Sequence, residues 1–136
     1  MDFVQHNIWL IIIAVLSGIM LLFPNLRGKL SGVAEVDTSG AVQLINHENA
    51  LVLDVREANE FSSGHIANAK HIPLGQLNND IKTLEKYKEQ TIVVNCRSGS
   101  RSAAACGILR KQGFTKVYNL AGGILAWQQA QMPTVK

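Results

Sequence analysis

Thr91-Ile92-Val93-Val94-Asn95-Cys96-Arg97-Ser98-Gly99-Ser100-Arg101-Ser102, followed by Ala103-Ala104-Ala105-Cys106-Gly107-Ile108-Leu109-Arg110, is the stretch from which the fold can be read. Thr91 to Val94 is a β-branched run with the composition of a buried strand. Ser102 to Lys111 reads as a helix closed by Gly113. A tight loop that begins with a cysteine lies between them. Such a loop, leaving the carboxyl end of a strand and opening a helix, turns successive backbone N–H groups into one concavity. The helix dipole adds positive potential there, and Arg97 and Arg101 add full charge. A thiol at the mouth of this cradle loses its proton easily, and the thiolate is the reactive form. Gly99 permits the sharp turn.

The rest of the chain alternates strands and helices around this unit. Thr38 or Ser39 caps a helix whose apolar face is Val42, Leu44 and Ile45. Leu51 to Val55 is a second strand, apolar enough to be covered on both faces. Arg56 to Ser63 is a short helix stopped near Gly64, and Ala69 to Ile72 a short strand ended by Pro73. Leu77, Ile81, Leu84 and Tyr87 recur at helical spacing, Lys116 to Asn119 is a last strand, and Gly122 to Gln129 a last helix with Ile124 and Trp127 inward. This alternation predicts an α/β domain with a mostly parallel sheet, and the cysteine loop then sits where such sheets place ligands.

Of the 136 residues, the first thirty differ from the others. Residues 8–23 carry no charge, and with their flanks they approach the ~20 residues that span a bilayer. No Lys or Arg precedes them, and Pro24-Asn25-Leu26-Arg27-Gly28-Lys29 follows in place of a small-residue cleavage site, which favours an uncleaved anchor over a signal peptide. Trp9 and Phe23 suit interfacial positions, and Arg27 and Lys29 put the C-terminal part in the cytoplasm, with the N-terminus outside. The expected organisation is a transmembrane anchor at 1–26, a linker at 27–34, a folded domain at 35–131 and a tail at 132–136. A net charge of +3 without a Lys/Arg run gives no footprint for nucleic acid. Two cysteines build neither a disulfide framework nor a four-ligand zinc site, and Cys106, among alanines on a helix, reads as a small core residue. His6, His47 and His71 show no metal-ligand pattern, and neither metal nor cofactor is expected. His65 reads as a hydrogen-bonding structural residue.

Three motifs in order resemble one family. Asp54-Val55-Arg56 with Glu60-Phe61, Gly64-His65-Ile66 and His71-Ile72-Pro73 is similar to the amino-terminal signature of rhodanese-like domains. Cys96 to Ser102 is similar to their active-site loop. Gly113-Phe114, Val117-Tyr118-Asn119-Leu120 and Gly122-Gly123-Ile124-Leu125-Ala126-Trp127 are similar to their carboxy-terminal signature. The resemblance runs from about Val36 to Gln129. It implies a three-layer domain with a central parallel five-stranded sheet, and a sulfurtransferase in which Cys96 takes a sulfane sulfur from a donor such as thiosulfate and passes it to a thiophile. With the apolar segment in front, the chain resembles the small membrane-anchored bacterial rhodaneses of the inner membrane.

On this reading Cys96 is the nucleophile, and Arg97, Ser98, Gly99, Ser100, Arg101 and Ser102 bind substrate and stabilise the persulfide. The two arginines orient an anionic donor, and Asp54, Arg56 and Glu60 brace the fold near the loop. The partners implied are a small sulfur-containing anion or persulfide donor, a thiol acceptor and the bilayer through residues 8–23, with a protein sulfur carrier or a membrane protein left open. Phosphatase or arsenate reductase chemistry needs a Cys-x5-Arg spacing, and here Arg101 arrives one residue early. The remaining alternative is a membrane-tethered scaffold module on the same fold, with an incidental cysteine.

Overall fold

The computed structural model describes residues 1–22 and 33–136. The chain divides into two units, Met1–Gly32 and Val33–Lys136. The expected linker at 27–34, except for Val33 and Ala34, and the basic pair Arg27 and Lys29 lie outside the described residues.

In the first unit, α1 (Asp2–His6) and α2 (Ile8–Leu22) meet at Asn7, whose Nδ2 donates to the Phe3 carbonyl at 3.0 Å. Neither helix buries a residue. The transmembrane helix expected here is not supported: α2 has 15 residues, and at ~1.5 Å rise each it reaches roughly 22 Å of the ~30 Å a bilayer core requires. No helix among the described residues is long and apolar enough to cross a membrane.

The second unit holds a five-stranded parallel sheet in the order β1-β5-β4-β2-β3, with β1 Ala34–Val36, β2 Leu51–Asp54, β3 Lys70–His71, β4 Ile92–Asn95 and β5 Val117–Leu120. Alternation along each strand divides the core between the two faces. Leu53, Ile92, Val94 and Val117 pack on one side with Leu77, Leu84, Leu109 and Phe114. Val52, Val93 and Leu120 pack on the other with Ala41, Ile66 and Trp127. Central strands buried on both faces need the near-continuous apolar runs seen in the sequence.

The helices are α3 (Thr38–His47), α4 (Ala58–Ser63), α5 (Leu77–Asp80), α6 (Ser100–Lys111) and α7 (Gly123–Gln129). Asp37, not Thr38 or Ser39, caps α3, because its carboxylate accepts from the Gly40 N–H at 2.7 Å. The continuous helix expected after Leu77 instead passes into a 3-10 helix over Ile81–Tyr87. Ile81, Leu84 and Tyr87 are three apart, which aligns them on one side of a three-residue turn. The tail at 132–136 is tied to the domain: His65 and Val135 exchange backbone hydrogen bonds of 2.8 Å each way, and Trp127 Nε1 donates to the Pro133 carbonyl at 2.9 Å.

Candidate active site

Strand β4 ends at Asn95 and α6 begins at Ser100, two residues earlier than the sequence suggests, so the connection spans only Cys96 to Gly99. Cys96 is fully covered, on the floor of the loop and not at its mouth. The Gly99 N–H donates to Cys96 Sγ at 3.1 Å, and Ser102 Oγ lies 3.2 Å from the same sulfur. Gly99 has φ +108°, a left-handed conformation that brings its N–H onto the sulfur at no Cβ cost. Burial pushes the thiol pKa up, but the Ser102 hydroxyl and the backbone N–H groups of Ser102, Gly99 and Ser98 outweigh it, and the net shift is below the ordinary value. At Cys106 burial outweighs the Arg110 charge and a single backbone N–H, and the pKa is pushed up to about 12. One thiol is prepared to ionise and the other is inert.

The two loop arginines have different surroundings. Arg97 is exposed and lines an open hollow of 290 Å³ with Arg56, Glu60, Gly64, Leu125 and Gln128. Arg101 makes a two-pronged ion pair with Glu60, at 2.7 and 3.0 Å. Its guanidinium thereby ties α6 to α4. Arg56 and Glu60 each hold neighbouring segments together, and they meet through the Glu60 carbonyl. Arg56 Nη2 meets the Asp54 carboxylate at 2.8 Å and the Gly64 carbonyl at 2.7 Å, while Arg56 Nη1 reaches the Glu60 carbonyl at 3.2 Å. Asp54 is fully buried, and the guanidinium supplies the partner that a buried carboxylate requires. Ser98 and Ser100 are exposed at the rim, and Ser102 is buried beside the sulfur.

The Glu60–Arg101 pair carries a pH signature. The Arg101 guanidinium draws the Glu60 pKa from 4.5 to about 2. Because the folded value is the lower one, the stabilisation is complete above 4.5 and is lost as pH falls toward about 2. Glu60→Gln is expected to cost about 1 kcal/mol at neutral pH, the scale of a partly exposed pair. Urea unfolding of variant and natural protein should converge at the acid end; equal stability at neutral pH would show that the pair contributes nothing.

Two features of the site were not among the residues expected from the sequence. Asn119, in the signature segment of β5, is 2% exposed, and it donates through Nδ2 to the Gly99 carbonyl at 3.0 Å while accepting from Ser102 Oγ. An amide in the middle of an otherwise apolar strand was the available signal, since Asn is depleted in strands. Gly123 is the second. The Ile124 and Leu125 N–H groups donate to the Cys96 and Arg97 carbonyls at 2.9 and 3.2 Å, and a Cβ on Gly123 would lie 2.5 Å from each of those carbonyl oxygens. His65 is structural, as expected: its Nδ1 lies 2.9 Å from the Phe61 carbonyl, and the Phe61 ring stacks between His65 and His71.

A thiol with a lowered pKa, ringed by backbone N–H groups at the carboxyl edge of a parallel sheet, defines an α/β domain built for cysteine-centred group transfer. The family model for the Rhodanese-like domain matches residues 38–130. A protein named Sulfurtransferase from Allochromatium vinosum is 38% identical over 104 residues, covering 76% of this chain and 95% of that protein. The Putative sulfurtransferase YtwF of Bacillus subtilis is 38% identical over 102 residues, covering 74% and 96%. The crystal structure of a rhodanese-related protein from Thermoplasma volcanium superposes with a TM-score of 0.68 at 33% identity, covering 75% of this chain and 97% of that one. The chain belongs to the rhodanese-like family, and at the level of the family it is a sulfurtransferase.

Proposed function

We propose that this chain moves a sulfane sulfur from a small anionic donor such as thiosulfate to a thiophilic acceptor through a persulfide on Cys96. The observation that carries the reading is the pair of contacts at Cys96 Sγ, from the Gly99 N–H at 3.1 Å and from Ser102 Oγ at 3.2 Å. The Cys96 thiolate attacks the outer sulfur of thiosulfate, the sulfur–sulfur bond breaks, and sulfite leaves with the bonding pair. Negative charge then rests on the outer sulfur of the persulfide, where the loop N–H groups act as an oxyanion hole does for oxygen. Cyanide, or the thiolate of a small molecule or of a protein sulfur carrier, attacks that sulfur and releases Cys96 as thiolate. Arg97, exposed at the hollow beside the loop, suits the approach of an anionic donor. Steady-state turnover of thiosulfate and cyanide to thiocyanate and sulfite tests the reaction; a rate no greater than that of free cysteine would count against it.

We also infer that α2 lies against a lipid bilayer, the inner membrane of a bacterium, with the folded unit on the cytoplasmic side. Its large apolar side chains are 39 to 82% exposed, from Ile19 to Leu21, more than an isolated soluble helix sustains. The side rests on Arg27 and Lys29, which follow the segment in sequence and suit the anionic lipids of the cytoplasmic leaflet. The full chain should float with phospholipid vesicles and the variant Leu10→Glu/Leu16→Glu should not, while protease outside spheroplasts should leave 33–136 intact. Sedimentation of the natural chain away from vesicles, or its digestion in intact spheroplasts, would overturn this placement.

A further inference from the structure

Asn119 stands between the two groups that touch the Cys96 sulfur. Its Nδ2 donates to the Gly99 carbonyl at 3.0 Å, and that bond decides which end of the amide faces where. The oxygen, which has no hydrogen, faces Ser102, so the Ser102 hydroxyl donates to Asn119 Oδ1. A serine hydroxyl has one hydrogen. With that hydrogen committed to Asn119, the 3.2 Å contact between Ser102 Oγ and Cys96 Sγ is a hydrogen bond only if the thiol donates its S–H. A thiolate cannot use this arrangement, because it would set an anion against an oxygen lone pair. The hydroxyl must turn before it can serve an ionised sulfur.

We propose that Asn119 is a positioning residue, and that the Ser102 hydroxyl is a two-position rotor between Asn119 and Cys96. Its hydrogen points to Asn119 Oδ1 while the sulfur is a thiol or carries a transferred sulfur, and to Cys96 Sγ while the sulfur is an anion. This rests on the reading of Cys96 as the persulfide carrier. On ionisation the S–H proton passes to water and the O–H bond swings about Cβ–Oγ; no bond between heavy atoms changes. Attack on the donor then makes Sγ a neutral divalent sulfur, the charge moves to the outer sulfur, and the hydroxyl returns to Asn119. Removal of the outer sulfur by the acceptor restores the anion and turns the rotor again.

The rotor gives Asn119 a defined influence on the thiol. In the thiolate state its oxygen, buried on β5, loses its partner, and a buried acceptor without a partner carries a cost. Asn119 therefore restrains ionisation, whereas Ser102 favours it. Among the described residues, the ionisable groups around the thiol are Arg101 with its partner Glu60, Cys106 on α6, Arg97 in the loop, and, beyond β4, Asp54 at the end of strand β2 with its partner Arg56. Among the described residues, none of them hydrogen-bonds the Ser102 or Asn119 side chain.

The test is a pH titration of the thiolate by ultraviolet absorbance in the full chain, where Cys106, at about 12, stays out of range. Asn119→Leu removes the competing acceptor and should move the Cys96 midpoint down by about one pH unit. Ser102→Ala removes the donor and should move it up by a similar amount. The double variant should titrate like Ser102→Ala alone, because Asn119 acts through the hydroxyl. An unmoved or raised midpoint in Asn119→Leu, or a double variant that keeps the downward shift, would overturn the rotor. Should Asn119→Leu not fold, the unsubstituted protein answers by carbon-13 NMR. The Asn119 side-chain carbonyl resonance should move with the Cys96 midpoint, and should stay flat over that range in Ser102→Ala; a flat resonance in the unsubstituted protein refutes the proposal. None of these titrations needs a sulfur donor. An active enzyme with a flat resonance faults the rotor alone, and a moving resonance without sulfur transfer faults the functional reading alone.

Discussion

Cys96→Ser is expected to reduce thiosulfate:cyanide sulfur transfer to background, a loss of roughly a thousandfold or more, while Cys106→Ser stays within about twofold of the natural protein. Serine fills the same space but cannot carry the transferred sulfur, and its hydroxyl does not ionise at any pH the protein survives. The contrast with Cys106 follows from donors. Both thiols are fully buried, yet Cys96 is met by backbone N–H groups and a hydroxyl, and its pKa falls, whereas the Cys106 pKa is held at about 12. A buried cysteine that keeps its proton behaves as a small apolar residue. Equal loss in both variants, with both shown to be folded, would mean that the chemistry is not confined to the loop.

Gly123→Ala should have the second largest effect, although it changes no residue with a reactive side chain. The new Cβ would lie 2.5 Å from the carbonyl oxygens of Cys96 and Arg97, and the φ of +58° is itself unfavourable for alanine. The obstructing atoms are backbone, so no side chain can swing aside; either α7 or the loop must shift. Left-handed strain and overpacking together come to about 3 kcal/mol, which lowers Tm by more than ~10 °C in a domain of this size. Loss of the two bonds that hold the loop carbonyls should displace the Gly99 N–H from the sulfur and reduce turnover by about a hundredfold. Gly107→Ala is the control: it sits inside α6 with no atom within 4 Å of the added Cβ, and should stabilise by ~0.5–1 kcal/mol. A Gly123→Ala protein with the natural rate and Tm would show that the close approach of α7 does not set the loop.

The sheet was legible because its strands are short and apolar. Leu51 to Asp54 and Ile92 to Asn95 leave little choice but burial on both faces, and the loop after Asn95 follows from that placement. The candidate nucleophile was legible for the same reason, since a cysteine between a buried strand and a helix meets backbone N–H groups whatever surrounds it. Contacts distant in sequence were not. Arg101 reads locally as a loose cation beside the thiol, but its guanidinium is taken by Glu60, 41 positions away. Asn119 and Gly123 act on the loop from β5 and α7, and nothing in the spacing of Cys96 to Ser102 says that either element reaches it. The absence of charge over residues 8–23 marks an apolar segment but carries no helix length, and α2 covers Ile8–Leu22 of it.

Sulfur that travels on Cys96 must appear in the intact mass of the full chain after incubation with thiosulfate and removal of the excess. The expected gain is one sulfur atom, about 32 Da, mapping to the peptide that contains Cys96 and disappearing when cyanide is added. No gain is expected in Cys96→Ser. An unchanged mass in the folded natural protein, or an adduct on Cys106 that cyanide does not remove, would contradict it.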